Sequence, residues 1–293
     1  MKVEKIGPVL FIPGENNGKY PFCHSIYIED SGILIDPSSD RKKLSQLKEK
    51  TGIKEVWLTH YHEDHFMHHD LFKNLQFCIS EPDAPAISDL ETLLNYYSLE
   101  GDYIDQWRKF FIEDFHFRPI VPSRFLKGGD IISLDSVTIE IIHTPGHTPG
   151  HLSFFFKEPE ILFLGDYTLS NFGPWYADLH SDIDQTISSI NKLRKIPAKT
   201  LLTSHEKGIF ENHTDELWDN YINVINIREE KLLDHLSSPR TFNEIVDDCI
   251  IYGKPLEPRI FYEFSEGAHM RKHLKRLMDQ GVVALDNEHY FLI

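Results

Sequence analysis

The chain has 293 residues of ordinary globular composition, 41% hydrophobic and 26% charged, enough for roughly two domains. Its formal net charge of -16 argues against a general binder of nucleic acid or anionic membranes, because those surfaces are normally basic. Three widely spaced cysteines indicate neither a disulfide framework nor a Cys-x-x-Cys site. Without a signal-peptide pattern or a membrane-spanning stretch, we expect a cytoplasmic protein with no membrane partner.

The first part of the chain reads as short strands separated by turns, with helices between some of them. Strands are predicted at Val9–Ile12, His24–Glu29, Gly32–Asp36, Ile53–Thr59 and Gln76–Ser80, and helices at Arg41–Lys50 and His69–Leu75.

The most informative segment, Thr59–His65, reads THYHEDH and directly follows an apolar strand. His60 and His62 are two residues apart, so on an extended strand end both rings point to the same side. Asp64 and His65 follow where the chain leaves the strand and can present a second pair of ligands. Imidazole and carboxylate groups are ligands for zinc, iron and manganese, and this spacing can serve two ions.

Residues from about 84 to 117 interrupt the strands, because their apolar and aromatic residues recur at helical spacing. In the simpler interpretation, the side chains of this helical insertion fill core. In the functional interpretation, the insertion forms a lid or a wall of a substrate pocket.

Strands then resume and alternate with one further helix. We predict strands at Asp130–Leu134, Val137–Ile142, Leu152–Phe156, Ile161–Leu164 and Thr200–Thr203, and a helix at Ile183–Lys195.

Three further signals lie at ends of these strands. His147 is at the apex of a Pro- and Gly-rich turn, HTPGHTPGH, which can hold a side chain rigidly at a sheet edge. Asp166 ends an apolar strand, where a carboxylate is badly placed without a cation. His205 ends another strand of buried character. Together with Thr59–His65, these residues form a candidate ligand set.

Beyond residue 212 the pattern changes to helices and a terminal hairpin. A long helix is predicted at Asp215–Leu236, a short one after the capping box at Thr241, and a third capped by Ser265 and stopped by Gly281. Strands Val282–Leu285 and His289–Leu292 then flank a turn.

The third of these helices carries a basic stripe of Arg271, Lys272, Lys275 and Arg276. Residues 213–293 nevertheless contain nine Lys and Arg against fifteen Asp and Glu. A basic stripe in an acidic region is more often a solvated face or a protein contact than a nucleic-acid reader, so nucleic acid is the less favoured partner.

These motifs, in this order and at these separations, resemble the metallo-β-lactamase fold superfamily over about residues 1–212. The resemblance implies an α+β fold, a four-layer αββα sandwich with metals at an exposed sheet edge. It also implies that residues 213–293 form a small winged-helix domain. By the resemblance, His60, His62 and His147 hold one divalent ion, Asp64, His65 and His205 hold a second, and Asp166 bridges both.

Two such ions sharing a water would supply hydroxide near neutral pH to attack a carbonyl or phosphoryl centre. We therefore expect a binuclear hydrolase of a small ester or thioester, similar to hydroxyacylglutathione hydrolases, with Asp64 as the catalytic residue. Zinc is the first expectation for the metal, with iron and manganese as alternatives. The oligomeric state is open, a homodimer included.

Several alternatives stay open. A ribonuclease or other phosphodiesterase would use the winged helix for its substrate, but no basic channel is evident. A flavodiiron-like redox protein would typically place Glu at His62. A regulatory binding module would not need the complete ligand set. A lactonase of this fold tends to carry Tyr a few positions beyond the bridging Asp, where this chain has Leu169.

Substrate contacts are predicted from the loop after Asp166, whose side chains lie near the site in sequence. The candidates are Tyr167, Asn171, Trp175 and Tyr176. Core packing is an equal alternative for these aromatic residues. Among other histidines, His143 and His151 are expected to tie down the turn around His147, and His68 and His69 to face solvent.

Overall fold

The computed structural model describes residues 2–99 and 102–293. The chain forms two large β-sheets packed face to face, helices on their outer faces, and a smaller three-stranded sheet near the C-terminus. Across the part of the chain described, none of the helices combines the length and hydropathy required to cross a bilayer.

The strands of the first large sheet precede residue 126, and those of the second lie between residues 131 and 211. In chain order they are β1 (Glu4–Ile6), β2 (Val9–Ile12), β3 (Ser25–Ile28), β4 (Ile33–Ile35), β5 (Glu55–Trp57), β6 (Gln76–Ile79), β7 (Arg124–Phe125), β8 (Ile131–Ser133), β9 (Thr138–His143), β10 (Leu152–Phe156), β11 (Ile161–Phe163), β12 (Thr200–Leu202) and β13 (Ile209–Glu211).

The helices before the C-terminal region lie mostly between strands. They are α1 (Arg41–Lys50), α2 (Glu63–Phe66), α3 (Ala84–Ser88), α4 (Leu90–Tyr96), α5 (Asp102–Glu113) and α6 (Ile183–Leu193). The insertion predicted at 84–117 is thus α3 to α5, with residues 100 and 101 outside the described residues.

Strand order in the first sheet follows the chain from β1 to β7, with β4 to β7 parallel. The second sheet has the order β13-β12-β11-β10-β9-β8, and only β11 and β12 are parallel. Both sheets are covered on both faces, so their central strands are nearly continuous apolar runs. Within β11, Ile161 and Phe163 face the other sheet while Leu162 faces outward, as the two-residue period requires.

Four layers follow from three separate apolar cores. One core lies between the sheets and includes Trp57 and Phe154, whose ring centroids are 5.7 Å apart. The second packs α1 and α3 to α5 on the first sheet, and includes Leu44 and Leu93. The third packs α6 on the second sheet through Ile190. The αββα sandwich predicted from the sequence is confirmed.

The C-terminal region begins with a helix that packs on the second sheet and ends in a hairpin. Its elements are α7 (Asp215–His235), β14 (Arg240–Thr241), α8 (Phe242–Asp247), α9 (Arg259–Asp279), β15 (Val283–Asp286) and β16 (His289–Leu292). The three strands pair in the order β14-β16-β15 around a core of their own, which includes Leu232, Ile245 and Leu274. The winged-helix name and the domain boundary at 212/213 stay predictions.

The predicted elements are close to the observed ones, with a few errors. The helix assigned a cap at Ser265 begins at Arg259, because its first turns are aromatic and pack on the rest of the protein. The predicted helix at His69–Leu75 is only a 3₁₀ turn, His69–Phe72. The strands β1, β7 and β13 were missed because each is two or three residues long and lies at a sheet edge.

The inter-sheet core gives a stability prediction. Phe154 is fully buried between the sheets, so Phe154→Ala should lower the free energy of unfolding by about 3–5 kcal/mol. Phe125→Ala removes a 41% exposed ring from the edge strand β7 and should change the free energy of unfolding by no more than about 0.5 kcal/mol. Denaturant unfolding of both variants measures the difference, and equal midpoints would contradict this packing.

Candidate metal centre

The predicted ligands come from different parts of the chain but meet at one edge of the sandwich. After β5 the chain continues through His60 and His62 into α2, which carries Asp64 and His65. Asp166 and His205 follow the parallel neighbours β11 and β12 by three residues each, and His147 lies on the turn between β9 and β10. Because parallel strands end at the same sheet edge, the two sheets bring these groups together.

Three histidines and a carboxylate form the first cluster. His62 Nδ1 lies 2.9 Å from His60 Nε2, and His147 Nε2 lies 3.0 Å from His62 Nδ1 and 3.1 Å from His60 Nε2. Asp166 Oδ2 is 3.4 Å from His147 Nε2. Among residues 2–99 and 102–293, the cluster is one of two groups of His and acidic residues whose ligand atoms all lie within 4.8 Å of one another.

In each imidazole of this cluster, the nitrogen that points away from the other rings has a hydrogen-bond acceptor, and this fixes the tautomer of the ring. His62 Nε2 donates to Asp178 Oδ2 at 2.5 Å, and His147 Nδ1 donates to the Trp175 carbonyl at 3.0 Å. Thr59 donates its hydroxyl proton to Asp36, so its oxygen accepts from His60 Nδ1 at 2.9 Å. In their neutral forms, all three rings therefore direct an unprotonated nitrogen at the others.

The second cluster is built in the same way from Asp64, His65 and His205. His205 Nε2 lies 3.3 Å from both His65 Nε2 and Asp64. His65 Nδ1 donates to Asp36 Oδ2 at 2.9 Å, and His205 Nδ1 donates to the Gly18 carbonyl at 2.8 Å. The neutral rings again present lone pairs inward.

Asp166 lies between the two clusters. Its Oδ1 is 3.0 Å from His65 Nε2 and its Oδ2 faces His147, yet Oδ1 has no hydrogen-bond donor among the described residues. Buried acceptors facing each other without a proton are costly unless a cation lies between them. The donor set therefore fits divalent metal ions, whereas the number of ions and the role of each ligand, including a bridging Asp166, stay predictions.

The pKa shifts of the cluster histidines also indicate that the carboxylates require positive charge beside them. Burial lowers the pKa of His147 to about 4, so this ring is neutral. Burial also opposes the charged form of His62, but Asp178 outweighs it and raises the pKa of His62 to about 9. At His205, burial is likewise outweighed by Asp166 and the pKa is raised to about 9. Bound cations would replace these protons as the partners of the carboxylates.

The turn that carries His147 is held by a buried aspartate. Asp83 accepts from Thr148 Oγ1 at 2.6 Å and from the Gly150 amide at 2.7 Å. Gly146 has φ +127°, and a Cβ there would lie 2.3 Å from the Thr186 amide nitrogen. The close packing of this turn fixes the imidazole at the sheet edge, as the Pro and Gly residues predicted.

Both flanking histidines also tie this turn, as expected. His143 Nε2 donates to the Pro149 carbonyl at 2.7 Å, and His151 Nδ1 lies 2.8 Å from Thr144 Oγ1. The expectation that His68 and His69 face solvent is wrong, because the structure buries both.

A cavity of about 460 Å³ opens directly over the two clusters. His62, Asp64, His147, Asp166 and His205 line its floor. Nine of the seventeen other lining residues are aromatic. Tyr20 precedes β3, and the others come from the insertion, from the loop after Asp166 and from the C-terminal region: Tyr97, Trp107, Phe172, Trp175, Tyr252, Phe261, Tyr262 and Phe264. The insertion thus fills core with residues such as Phe111 and also forms one wall of the cavity.

Of the four predicted substrate contacts, only Trp175 lines this cavity. Tyr167 is fully buried and donates to the Thr144 and Pro145 carbonyls, so it supports the turn around His147 instead. Tyr176 is fully buried with its hydroxyl 2.9 Å from His273 Nε2. Asn171 is exposed outside the cavity lining.

Sequence reasoning missed the groups that orient the ligands. Asp36 follows the apolar run of β4, the same strand-end signal that identified Asp166. Asp178 lies in an irregular loop and Glu63 inside the ligand motif, so neither had a distinguishing pattern. Glu63 is buried and accepts from Tyr97 and, at 2.8 Å, from Tyr20.

The C-terminal region holds a loop that contacts the first cluster. Arg228 of α7 is buried and donates to the carbonyls of Phe172, at 2.6 Å, and Pro174, at 3.0 Å. These contacts fix the loop whose next carbonyl, that of Trp175, accepts from His147.

Part of the basic stripe on α9 makes contacts within the protein. Lys272 donates to the Leu179 and Ser181 carbonyls, and Arg276 binds Glu229 and Asp184.

The comparisons with known proteins agree with this geometry. A family model described as "Metallo-beta-lactamase superfamily" matches residues 19–205. A hydroxyacylglutathione hydrolase of Francisella tularensis subsp. novicida is 27% identical over 183 residues, which cover 62% of this chain and 60% of the relative. An atrochrysone carboxyl ACP thioesterase of Claviceps purpurea is 24% identical over 213 residues, covering 62% and 55%. The chain therefore spans about three-fifths of the length of these curated relatives.

Among solved structures, a metallo-beta-lactamase family protein of Thermus thermophilus matches with a TM-score of 0.75 at 20% identity. The match covers 98% of this chain and 99% of that chain, so the similarity in fold extends through the C-terminal region.

The outer hydrogen bonds give a prediction about metal affinity. Asp178→Asn removes the negative charge that orients His62 and should weaken binding of the first ion about 10–100-fold. Competition with a chromophoric chelator measures this affinity directly. Asp135→Asn, in the exposed turn after β8, is the matched control and should leave it unchanged. Equal affinities in the two variants would contradict the orienting contribution of Asp178.

Proposed function

The chain belongs to the metallo-beta-lactamase superfamily, and we propose that it is a metal-dependent hydrolase that cleaves a small thioester or ester. The observation that carries the proposal is the pair of clusters whose lone pairs and carboxylates converge beneath a cavity of about 460 Å³. When bound, two divalent ions would supply a nucleophile from water and a Lewis acid for the developing negative charge. We propose zinc as the metal, with iron and manganese as alternatives.

Residues of the chain would provide the orientation for this reaction. His60, His62 and His147 would hold one ion, and Asp64, His65 and His205 the other, with Asp166 bridging. Asp64 also lines the cavity. We propose that its carboxylate orients the attacking water or delivers a proton to the leaving group.

Two observations favour a thioester or ester over a phosphodiester. Lys19 is the one Lys or Arg side chain in the cavity lining across the described residues, whereas a nucleic-acid backbone requires a basic channel. The relatives named above are a hydroxyacylglutathione hydrolase and an atrochrysone carboxyl ACP thioesterase. A phosphodiesterase remains the second candidate because the same metal chemistry serves it, and nucleic acid is then the substrate.

A substrate panel tests the proposal. The protein is loaded with zinc, its metal content is measured, and thioesters, lactones and RNA are offered to the same preparation. We expect robust thioester cleavage that is lost on chelation and restored by metal, with no RNA cleavage. RNA cleavage without thioester cleavage would overturn the proposal in favour of the phosphodiesterase.

The contribution of Asp64 can be separated from metal binding. Asp64→Asn should reduce kcat per bound metal about 10²-fold or more, because an amide cannot exchange the proton. His205→Asn removes a ligand from the same cluster without removing a carboxylate, so it should act mainly through metal occupancy. If the two variants lose the same activity per bound metal, Asp64 is a ligand only.

A further inference from the structure

An aromatic wall leads from the metal centre to the C-terminal helix α9. His62 stacks on Tyr97 with centroids 5.4 Å apart, and Tyr97 stacks on Trp107 at 5.7 Å. Trp107 in turn stacks on Phe261 at 5.5 Å. The wall therefore runs continuously from a candidate ligand, through the helical insertion, to a part of the chain that lies outside the family model.

Space continues beyond this wall. A second cavity of about 320 Å³ shares Tyr20, Trp107, Phe261 and Tyr262 with the first. Phe110 and Pro258 add further apolar surface, and Gln106 is its uncharged polar member. Together the two cavities have the size and the apolar lining of sites that hold a small organic molecule.

Charge in the lining limits what can bind there. The carboxylates that face the first cavity are Asp64 and Asp166, which belong to the clusters, with Glu63 and Glu206. Lys19 is the one Lys or Arg side chain in the lining across residues 2–99 and 102–293, and the cationic partners at the floor belong to the metal clusters. A ligand bearing several phosphates or carboxylates would need more cationic partners than this. The cavity therefore fits an uncharged, apolar group.

The tyrosine hydroxyls do not alter this character. Tyr20 and Tyr97 both donate to Glu63, so their polar ends are satisfied and their rings remain as apolar surface. Burial, followed by the charge of Asp64, raises the pKa of Glu63 to about 6, and the two hydroxyls act in the opposite direction.

We propose that this aromatic cavity determines specificity by binding a hydrophobic group, a medium-length alkyl chain or an aryl ring, next to the scissile bond. This inference rests on the proposed thioester or ester hydrolysis and names the substrate class. Phe261 and Trp107 are its specificity-determining residues. They act by burying the apolar group, so their effect should grow with the size of that group.

Two series of thioesters test the proposal and distinguish the side on which the group lies. In the first, the zinc-loaded protein hydrolyses N-acetylcysteamine thioesters of acetyl, butanoyl, octanoyl and 3-phenylpropanoyl groups. In the second, the acyl group stays acetyl and the thiol is N-acetylcysteamine, octanethiol or benzyl mercaptan. We expect kcat/KM to rise at least tenfold along one series, since each buried methylene is worth about fourfold at ~0.8 kcal/mol. A flat response in both series would overturn the proposal.

Substitutions in the aromatic wall test whether it causes the preference for long or aryl substrates. Phe261→Ala and Trp107→Ala should each lower kcat/KM for the preferred long or aryl substrate about tenfold, and Phe261→Leu should retain most of it. Phe125→Ala, an exposed ring on β7, is the matched control and should keep the wild-type preference. If Phe261→Ala keeps the full preference while folding normally, the wall does not select the substrate.

Binding without turnover separates this inference from the proposed function. Octanamide binding is measured by calorimetry, and wild-type protein should bind it with a negative heat-capacity change that Phe261→Ala diminishes. If octanamide binds in this way but no thioester is cleaved, the proposed reaction is wrong and the hydrophobic site stands. If thioesters are cleaved without regard to size and octanamide does not bind, the reaction stands and this inference fails.

Discussion

The metal centre depends on one constraint: the inner nitrogens of five buried histidines carry no proton when the rings are neutral. Each outer nitrogen is committed to an acceptor, which is Asp178, Asp36, the Thr59 hydroxyl or a backbone carbonyl. The inner lone pairs then face one another and the carboxylates of Asp64 and Asp166, which leaves cations as the partners that can satisfy them. The acceptors come from segments far apart in the chain, so folding of the whole sandwich is what creates the centre.

The C-terminal region takes part in this arrangement in two ways. Arg228 fixes the loop that ends in the Trp175 carbonyl, so α7 reaches the centre through one intermediate residue. The first turns of α9 meanwhile close the cavity with Phe261, Tyr262 and Phe264. The candidate ligands and the cavity lining therefore have different origins: the candidate ligands all lie before residue 206, whereas much of the aromatic lining lies in the insertion and beyond residue 250. Proteins that share the metal chemistry can for this reason differ in the substrates they accept.

The basic stripe of α9 shows what a charge pattern leaves open when it is read from the sequence alone. A run of Arg and Lys on a helix is compatible with binding nucleic acid, but in the folded protein Lys272 and Arg276 join α9 to carbonyls and carboxylates around α6 and α7. Charge pattern indicates which surfaces are polar, whereas the partner of each charge depends on what the fold places opposite it.

The sequence by itself determined the sandwich and the candidate ligand set, because both depend on local pattern. His60, His62, Asp64 and His65 follow one strand in a fixed spacing, Asp166 and His205 end apolar runs, and Pro and Gly mark the turn around His147. Periodicity likewise located most strands and helices to within a few residues. Only the tertiary structure decided which groups orient those ligands and which side chains face the substrate. Asp178 and Arg228 carry no local signal, and Tyr167 and Trp175, eight residues apart in one loop, have opposite environments. Their contacts are made between segments distant in sequence, and no spacing along the chain encodes a contact of that kind.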